Sequence, residues 1–261
     1  MPKFAANLSF LFQDLDFFER FAAAAECGFE AVEYLFPYDY PPAKLKAALD
    51  AHGLVQALFN MPPGDWDAGE RGLAALPGRE AEFRAGVALA GEYAEALGCE
   101  RVHVMAGIVP EGARREAYEE RYIANLGHAA DYFAARGIRT LIEPLNRFDM
   151  PGYLLNGSRQ ARTFIEAVGK NLFLQYDVYH LQILEGNLAH SFERDLDIIG
   201  HVQIAGVPGR FEPGVGEINY PFLFALFDRL GYDGWVGCEY RPQGDTRAGL
   251  GWAADYGIRT G

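Results

Sequence analysis

Cysteine is scarce in this chain of 261 residues: Cys27, Cys99 and Cys238 are scattered and form no CxxC pair. An odd, unpaired set argues against a disulfide framework and reads as buried thiols in a reducing compartment. Basic side chains are in deficit too, 23 Lys+Arg against 36 Asp+Glu, for a formal net charge of −13. Such a surface repels a phosphate backbone, which argues against nucleic acid as a partner. No apolar run reaches the roughly 18 residues that a membrane span needs, so no membrane partner is expected. Met1-Pro-Lys-Phe-Ala-Ala-Asn lacks a secretory signal's apolar stretch and cleavage site, and the expected location is cytoplasmic. There is no Walker-type loop and no GxGxxG, so no nucleotide cofactor is expected. No Gly/Ser-rich linker or charge run cuts the chain, and residues 1–261 read as one domain.

What the chain does have is alternation. Strand candidates at 3–9, 31–36, 54–60, 100–105, 139–144, 172–177, 198–205 and 235–239 are separated by segments with helical spacing. The helices are expected from Asp14 or Asp16 to Cys27, and over 43–52, 79–97, 114–136, 158–168, 188–195 and 221–230. Gly53, Gly98 and Gly137 stop three of them, and residues 249–258 are placed to close the ring. Eight strands with intervening helices predict an α/β fold, a single (β/α)8 barrel, with an open doubly wound sheet as the competitor.

Four of the strand candidates finish on an oxygen-bearing side chain: Glu143, Asp177, Gln203 and Glu239. The intervals are 34, 26 and 36 residues, about one strand–helix unit each. In a parallel barrel all strand C-termini open on one face, so these groups converge. A carboxylate at the end of an apolar strand is costly unless it is paired or coordinated. Four oxygen donors without a thiolate describe a site for a hard divalent cation, Mg²⁺ or Mn²⁺. Glu143 and Glu239 are also candidates for acid–base work on an acidic C–H beside a metal-held oxygen, through an enediolate.

Other residues gather around this set. His180, three residues past Asp177, is spaced to aim an imidazole into the mouth and touch substrate. His103 points inward if Met105 does, whereas His201 lies deeper than Gln203 and reads as a packed histidine. Arg210, on the glycine-rich loop after the seventh strand, could pair with a substrate carboxylate, and Glu217 could anchor that loop near the eighth strand. The loop at 61–78, with Trp66, reads equally as a lid or a solvated connector. The aromatic stretch at 34–40 could line substrate or meet a second copy in a homo-oligomer.

Ile142-Glu143-Pro-Leu-Asn146, Gln175-Tyr-Asp177-x-x-His180, His201-Val-Gln203-Ile-Ala-Gly-Val-Pro-Gly-Arg210 and Gly216-Glu-Ile-Asn-Tyr together resemble the hydroxypyruvate isomerase family, a group of xylose isomerase-like barrels. The resemblance runs from Ala6-Asn-Leu-Ser to Cys238-Glu-Tyr-Arg-Pro. It implies an intramolecular oxidoreductase in which Glu143 and Glu239 exchange protons and, with Asp177 and Gln203, hold a metal. The implied substrate is hydroxypyruvate or a longer hydroxy-oxo acid. The resemblance leaves room for sugars, since ketose 3-epimerases share the fold but usually carry histidine where this chain has Gln203. Two further readings stand beside it: a sugar- or metal-binding barrel without catalysis, and a DNA-repair endonuclease of the same fold. The endonuclease needs a histidine-rich zinc cluster, which six histidines without ligand spacing do not offer.

Overall fold

A computed structural model describes residues 1–260. Eight parallel strands form a closed barrel in sequence order: β1 (Lys3–Asn7), β2 (Ala31–Tyr34), β3 (Val55–Asn60), β4 (Arg101–His103), β5 (Arg139–Ile142), β6 (Leu172–Asp177), β7 (Ile199–Ile204) and β8 (Trp235–Cys238). Pairing of β1 with β8, from Lys3 opposite Trp235 to Ala6 opposite Cys238, closes the ring and excludes the open sheet. The helices are α1 (Glu19–Glu26), α2 (Pro42–His52), α3 (Glu80–Leu97), α4 (Arg115–Ala134), α5 (Ser158–Val168), α6 (Val178–Leu184), α7 (Leu188–Asp195), α8 (Tyr220–Arg229) and α9 (Thr246–Gly249). No helix is long and apolar enough to cross a membrane. All three cysteines are buried free thiols.

Residues 250–256 form a 3-10 helix that packs Trp252 and Tyr256 edge-on to Phe4 of β1, at 5.1 and 5.5 Å between ring centroids. The C-terminal segment thus covers the seam between the first and last strands, as its place in the sequence suggests.

Two elements depart from the sequence reading. The first helix starts at Glu19, not at Asp14 or Asp16, because residues 8–16 are held as a turn over the rim. Phe12 is left-handed at φ 56°, its N–H donates to Thr246 Oγ1 at 2.8 Å, and Glu19 turns back to accept from the Asp16 N–H at 3.1 Å. Helix α6 was foreseen only as one turn after the sixth strand. Asp177 caps it by accepting the His180 N–H at 3.1 Å, and it continues to Leu184.

The barrel interior is layered. Ala5, Ala31 and Ala57 fill the bottom against Trp235. Above them the interior turns polar: Asn7, Glu33, His103, Gln175, His201 and Gln203 are all buried. The outer core, between strands and helices, is apolar and rich in aromatic rings. A polar interior opening toward the strand C-termini is what positions the site.

Candidate active site

Strand pairing sets the floor of the site. Asp177 on β6 lies opposite Gln203 on β7, and Gln203 lies opposite Gly237 on β8, two residues before Glu239. Glu143 follows the last residue of β5. All four side chains are buried. The Gln175 amide donates to Glu143 Oε2 at 3.0 Å and to Gln203 Oε1 at 2.6 Å, joining those two. Arg210 Nη2 donates to Glu239 Oε1 at 2.9 Å and lies 3.8 Å from Asp177 Oδ2, joining the other two. The four residues singled out from strand ends therefore meet at one place, with Arg210 among them.

Burial dominates their protonation. It pushes the Glu143 carboxyl well above its ordinary range, and the charges of Glu239 and Asp177 push it further. Asp177 is raised by burial against the opposing pull of Arg210. Glu239 is pushed up to about 8, again by burial first, with Arg210 opposing and Asp177 and Glu33 adding to the rise. Three crowded carboxyls all raised by burial are the signature of a site whose charge a cation would relieve. The oxygen donors of Glu143, Asp177, Gln203 and Glu239 fit a hard divalent ion in that role.

His180 sits beside this cluster, and one of its ring nitrogens lies within 4.8 Å of oxygens of Glu143 and Asp177. Its Nδ1 accepts the backbone N–H of Asn146 at 3.1 Å, so in the neutral ring the hydrogen rests on Nε2. Burial, aided by Arg210 and His103, holds the ring neutral by lowering its pKa well below the ordinary value. A ring with hydrogen on Nε2, 3.9 Å from Asp177 Oδ2, is a hydrogen-bond donor into the cavity rather than a metal ligand. His103 also points inward, its Nδ1 3.2 Å from Asn60 Oδ1 and 3.5 Å from Glu143 Oε2, with burial pushing its pKa down to about 3.

Glu143, Glu239, Gln175, Arg210, His103 and His180 line a cavity of about 160 Å³ together with Trp66, Phe36 and Met105. That is far smaller than the roughly 300–1,000 Å³ of drug-sized ligand sites, so its occupant is a molecule of few atoms. Trp66 comes from the loop at 61–78 and packs edge-on to Phe36 at 5.3 Å, with the Arg71 guanidinium over its other side at 3.7 Å. The loop closes on the barrel at Gly72, φ 108°, where a Cβ would lie 2.3 Å from the Met105 carbonyl oxygen. Leu35 and Phe36 of the aromatic stretch line the cavity. Glu217 does not reach β8: its Oε1 accepts from Gln182 Nε2 of α6 at 2.9 Å, because the loop folds across the sixth unit.

Beneath the site lies a network that strand-end reasoning missed. Glu33 on β2 accepts from Asn7 Nδ2 at 2.9 Å and Gln203 Nε2 at 2.9 Å, and pairs with His201 Nε2 at 2.7 Å. Strands β2 and β7 are not neighbours in the ring, so these bonds cross the interior. By taking the Gln203 amide nitrogen, Glu33 turns the amide oxygen toward the carboxylates. His201 is thus the packed histidine expected. The one available signal for Glu33 was a lone acid within the apolar run Ala31-Val-Glu33-Tyr. Gly237 makes the space: a Cβ there would lie 2.3 Å from Glu33 Oε1. Gly237→Ala is therefore expected to displace a carboxylate fixed by three partners and to destabilise the fold by about 1–3 kcal/mol. Thermal denaturation checks this; an unchanged melting temperature would mean that Glu33 has room to move.

Comparison with known proteins places the chain. A family model described as xylose isomerase-like TIM barrel matches residues 21–256. The chain belongs to this family. It is 57% identical to a 2-oxo-tetronate isomerase of Cupriavidus necator, covering 98% of this chain and 99% of that protein. It is 50% identical to the hydroxypyruvate isomerase of Escherichia coli, covering 98% and 100%. A crystal structure from Brucella melitensis, titled an AP endonuclease of family 2, matches with TM-score 0.97 and 51% identity over 98% of this chain and 99% of that one. The chain is an isomerase of the intramolecular oxidoreductase type, as these curated relatives are.

Proposed function

We propose that this chain is a metal-dependent isomerase interconverting hydroxypyruvate and tartronate semialdehyde, or acting on a four-carbon homologue such as 2-oxo-tetronate, through an enediolate. The observation that carries the reading is a cavity of about 160 Å³ lined by two buried glutamates, Glu143 and Glu239, from strands three places apart in the ring. Names of relatives on both sides of the three- and four-carbon choice support it.

In the forward direction one glutamate takes a proton from C3 of hydroxypyruvate. The C2–C3 double bond forms and charge moves to the oxygen on C2. The other glutamate returns a proton to C2, while the C3 hydroxyl passes its proton to the oxygen on C2, leaving an aldehyde at C3 and a hydroxyl at C2. C3 is oxidised as C2 is reduced, so no external oxidant or reductant enters. Glu143, Asp177, Gln203 and Glu239 would hold the divalent cation, which supplies positive charge to the adjacent oxygens of the enediolate. His180, neutral with hydrogen on Nε2, donates to a substrate oxygen. Trp66 and Phe36 keep bulk water from the carbanion-like centre.

A DNA substrate, which the description of the Brucella structure would suggest, is disfavoured by the −13 charge and by so small a cavity. The test is a panel of hydroxypyruvate, oxo-tetronates and neutral ketoses assayed with Mg²⁺ and with Mn²⁺. Isomerisation of the acids is expected. Epimerisation of ketoses with no turnover of any oxo acid would overturn the reading.

A further inference from the structure

Resting on that reading, the substrate is an anion and needs a cation to meet its carboxylate. Arg210, the candidate by sequence, is already engaged: it bonds Glu239, faces Asp177, and lies between the rings of Phe10 and Tyr179, each 5.0 Å away. Three carboxylates are balanced by one divalent cation and this guanidinium, which leaves no charge over for a substrate. His103 and His180, also in the wall, are engaged with Asn60 and Asn146. The other cation lining the cavity is Arg241.

Arg241 has the features of an anchor. Its side chain makes no ion pair among the described residues, and it is exposed at the mouth. It lines both the inner cavity and an outer one of about 730 Å³ that shares Phe10 and Leu35 with it. Its backbone N–H donates to the Arg210 carbonyl at 2.7 Å, and Pro242 follows, which favours extended backbone at Arg241. The acids Asp14 and Asp245 line only the outer cavity and repel an anion there, whereas the inner acids Glu143 and Glu239 face Arg210 and the proposed cation.

We propose that Arg241 binds the substrate carboxylate at the rim between the two cavities. A guanidinium matches a carboxylate with two parallel hydrogen bonds, and this fixes orientation as well as affinity. Held there, the oxo acid presents its reacting carbons inward, toward Glu143 and Glu239. Arg210 keeps the ligand carboxylates in place instead.

The experiment compares wild type, Arg241→Gln and Arg241→Lys in the presence of Mn²⁺. It reads KM and kcat for hydroxypyruvate, and calorimetric binding of D-glycerate, a three-carbon hydroxy acid without the oxo group. Arg241→Gln should raise KM and weaken glycerate binding by about 10-fold or more, with a smaller fall in kcat. Arg241→Lys should recover part of both, since it keeps the charge and loses the fork. Because Arg241 is exposed and outside the core, the variants should fold. Unchanged KM and glycerate binding in Arg241→Gln would overturn the proposal while leaving the isomerase reading intact. So would a wild type that does not bind glycerate. Glycerate binding that depends on Arg241 in a wild type inert toward hydroxypyruvate and the oxo-tetronates alike would overturn the substrate reading and leave the anion site standing.

Discussion

Glu239→Gln is expected to lower turnover about 10²-fold or more while metal binding survives, weakened. Glutamine keeps an oxygen for the cation and for Arg210 Nη2, which now donates to Glu239 Oε1 at 2.9 Å, but it cannot accept or return a proton. Burial has pushed the Glu239 carboxyl up to about 8, close to the value at which a general base works near neutral pH. Kinetics and metal content measured on the same preparation separate the two roles. Turnover near that of wild type would show that the carboxylate at 239 moves no proton, leaving Glu143 or a bound water as the base.

Removal of the metal should have an effect at least as large. Excess chelator should abolish turnover, and Mn²⁺ should restore it. Stability should respond as well, with a sign fixed by the raised carboxyls. Glu239 titrates at about 8 in the folded chain against an ordinary 4.5, so the folded state holds a proton that the unfolded state has released. The associated stability is fully present below the ordinary value and is lost as pH rises through the folded one. Glu143 and Asp177, also raised, add to the same trend. Buried His103 and His180, held neutral, pull the other way below the ordinary histidine value of 6.5, so the melting temperature of metal-free protein should fall between about pH 6.5 and pH 8.5. With Mn²⁺ the slope should flatten, because the cation takes the place of the protons. A melting temperature that rises over that range in chelator would contradict the description of the cluster.

The barrel was legible because its punctuation is local. Gly53, Gly98 and Gly137 take up left-handed conformations after α2, α3 and α4, and α5 and β6 fall where the sequence pattern places them. Glu143, Asp177, Gln203 and Glu239 were legible for a different reason. A polar group closing an apolar strand points to a site whatever its partners are, and the parallel topology brings such groups together. His180 needed only its distance from Asp177.

What stayed hidden depends on contacts between distant strands. Glu33 is mid-strand, and its role appears only when β2 and β7 face each other across the interior. Gln175 precedes Asp177 by two and so shares its side of the strand, yet only the register of β6 on β7 shows it bridging Glu143 to Gln203. Arg210 is the one loop arginine that the sequence singles out, and Arg241 is not; the ion pairs of the first and the lack of any for the second, among the described residues, come from the closed ring. The start of α1 was misread because the rim segment before it is held by Thr246, more than two hundred residues away.

The central claim is proton transfer between C3 and C2 by two glutamates at a metal site. Its most direct test is conversion of hydroxypyruvate in D₂O with Mn²⁺, followed by NMR, against a chelated control and an enzyme-free control. Tartronate semialdehyde carrying deuterium at C2, formed with Mn²⁺ and absent in chelator, is the predicted result. Product that keeps protium at C2, or full turnover in excess chelator, would contradict it.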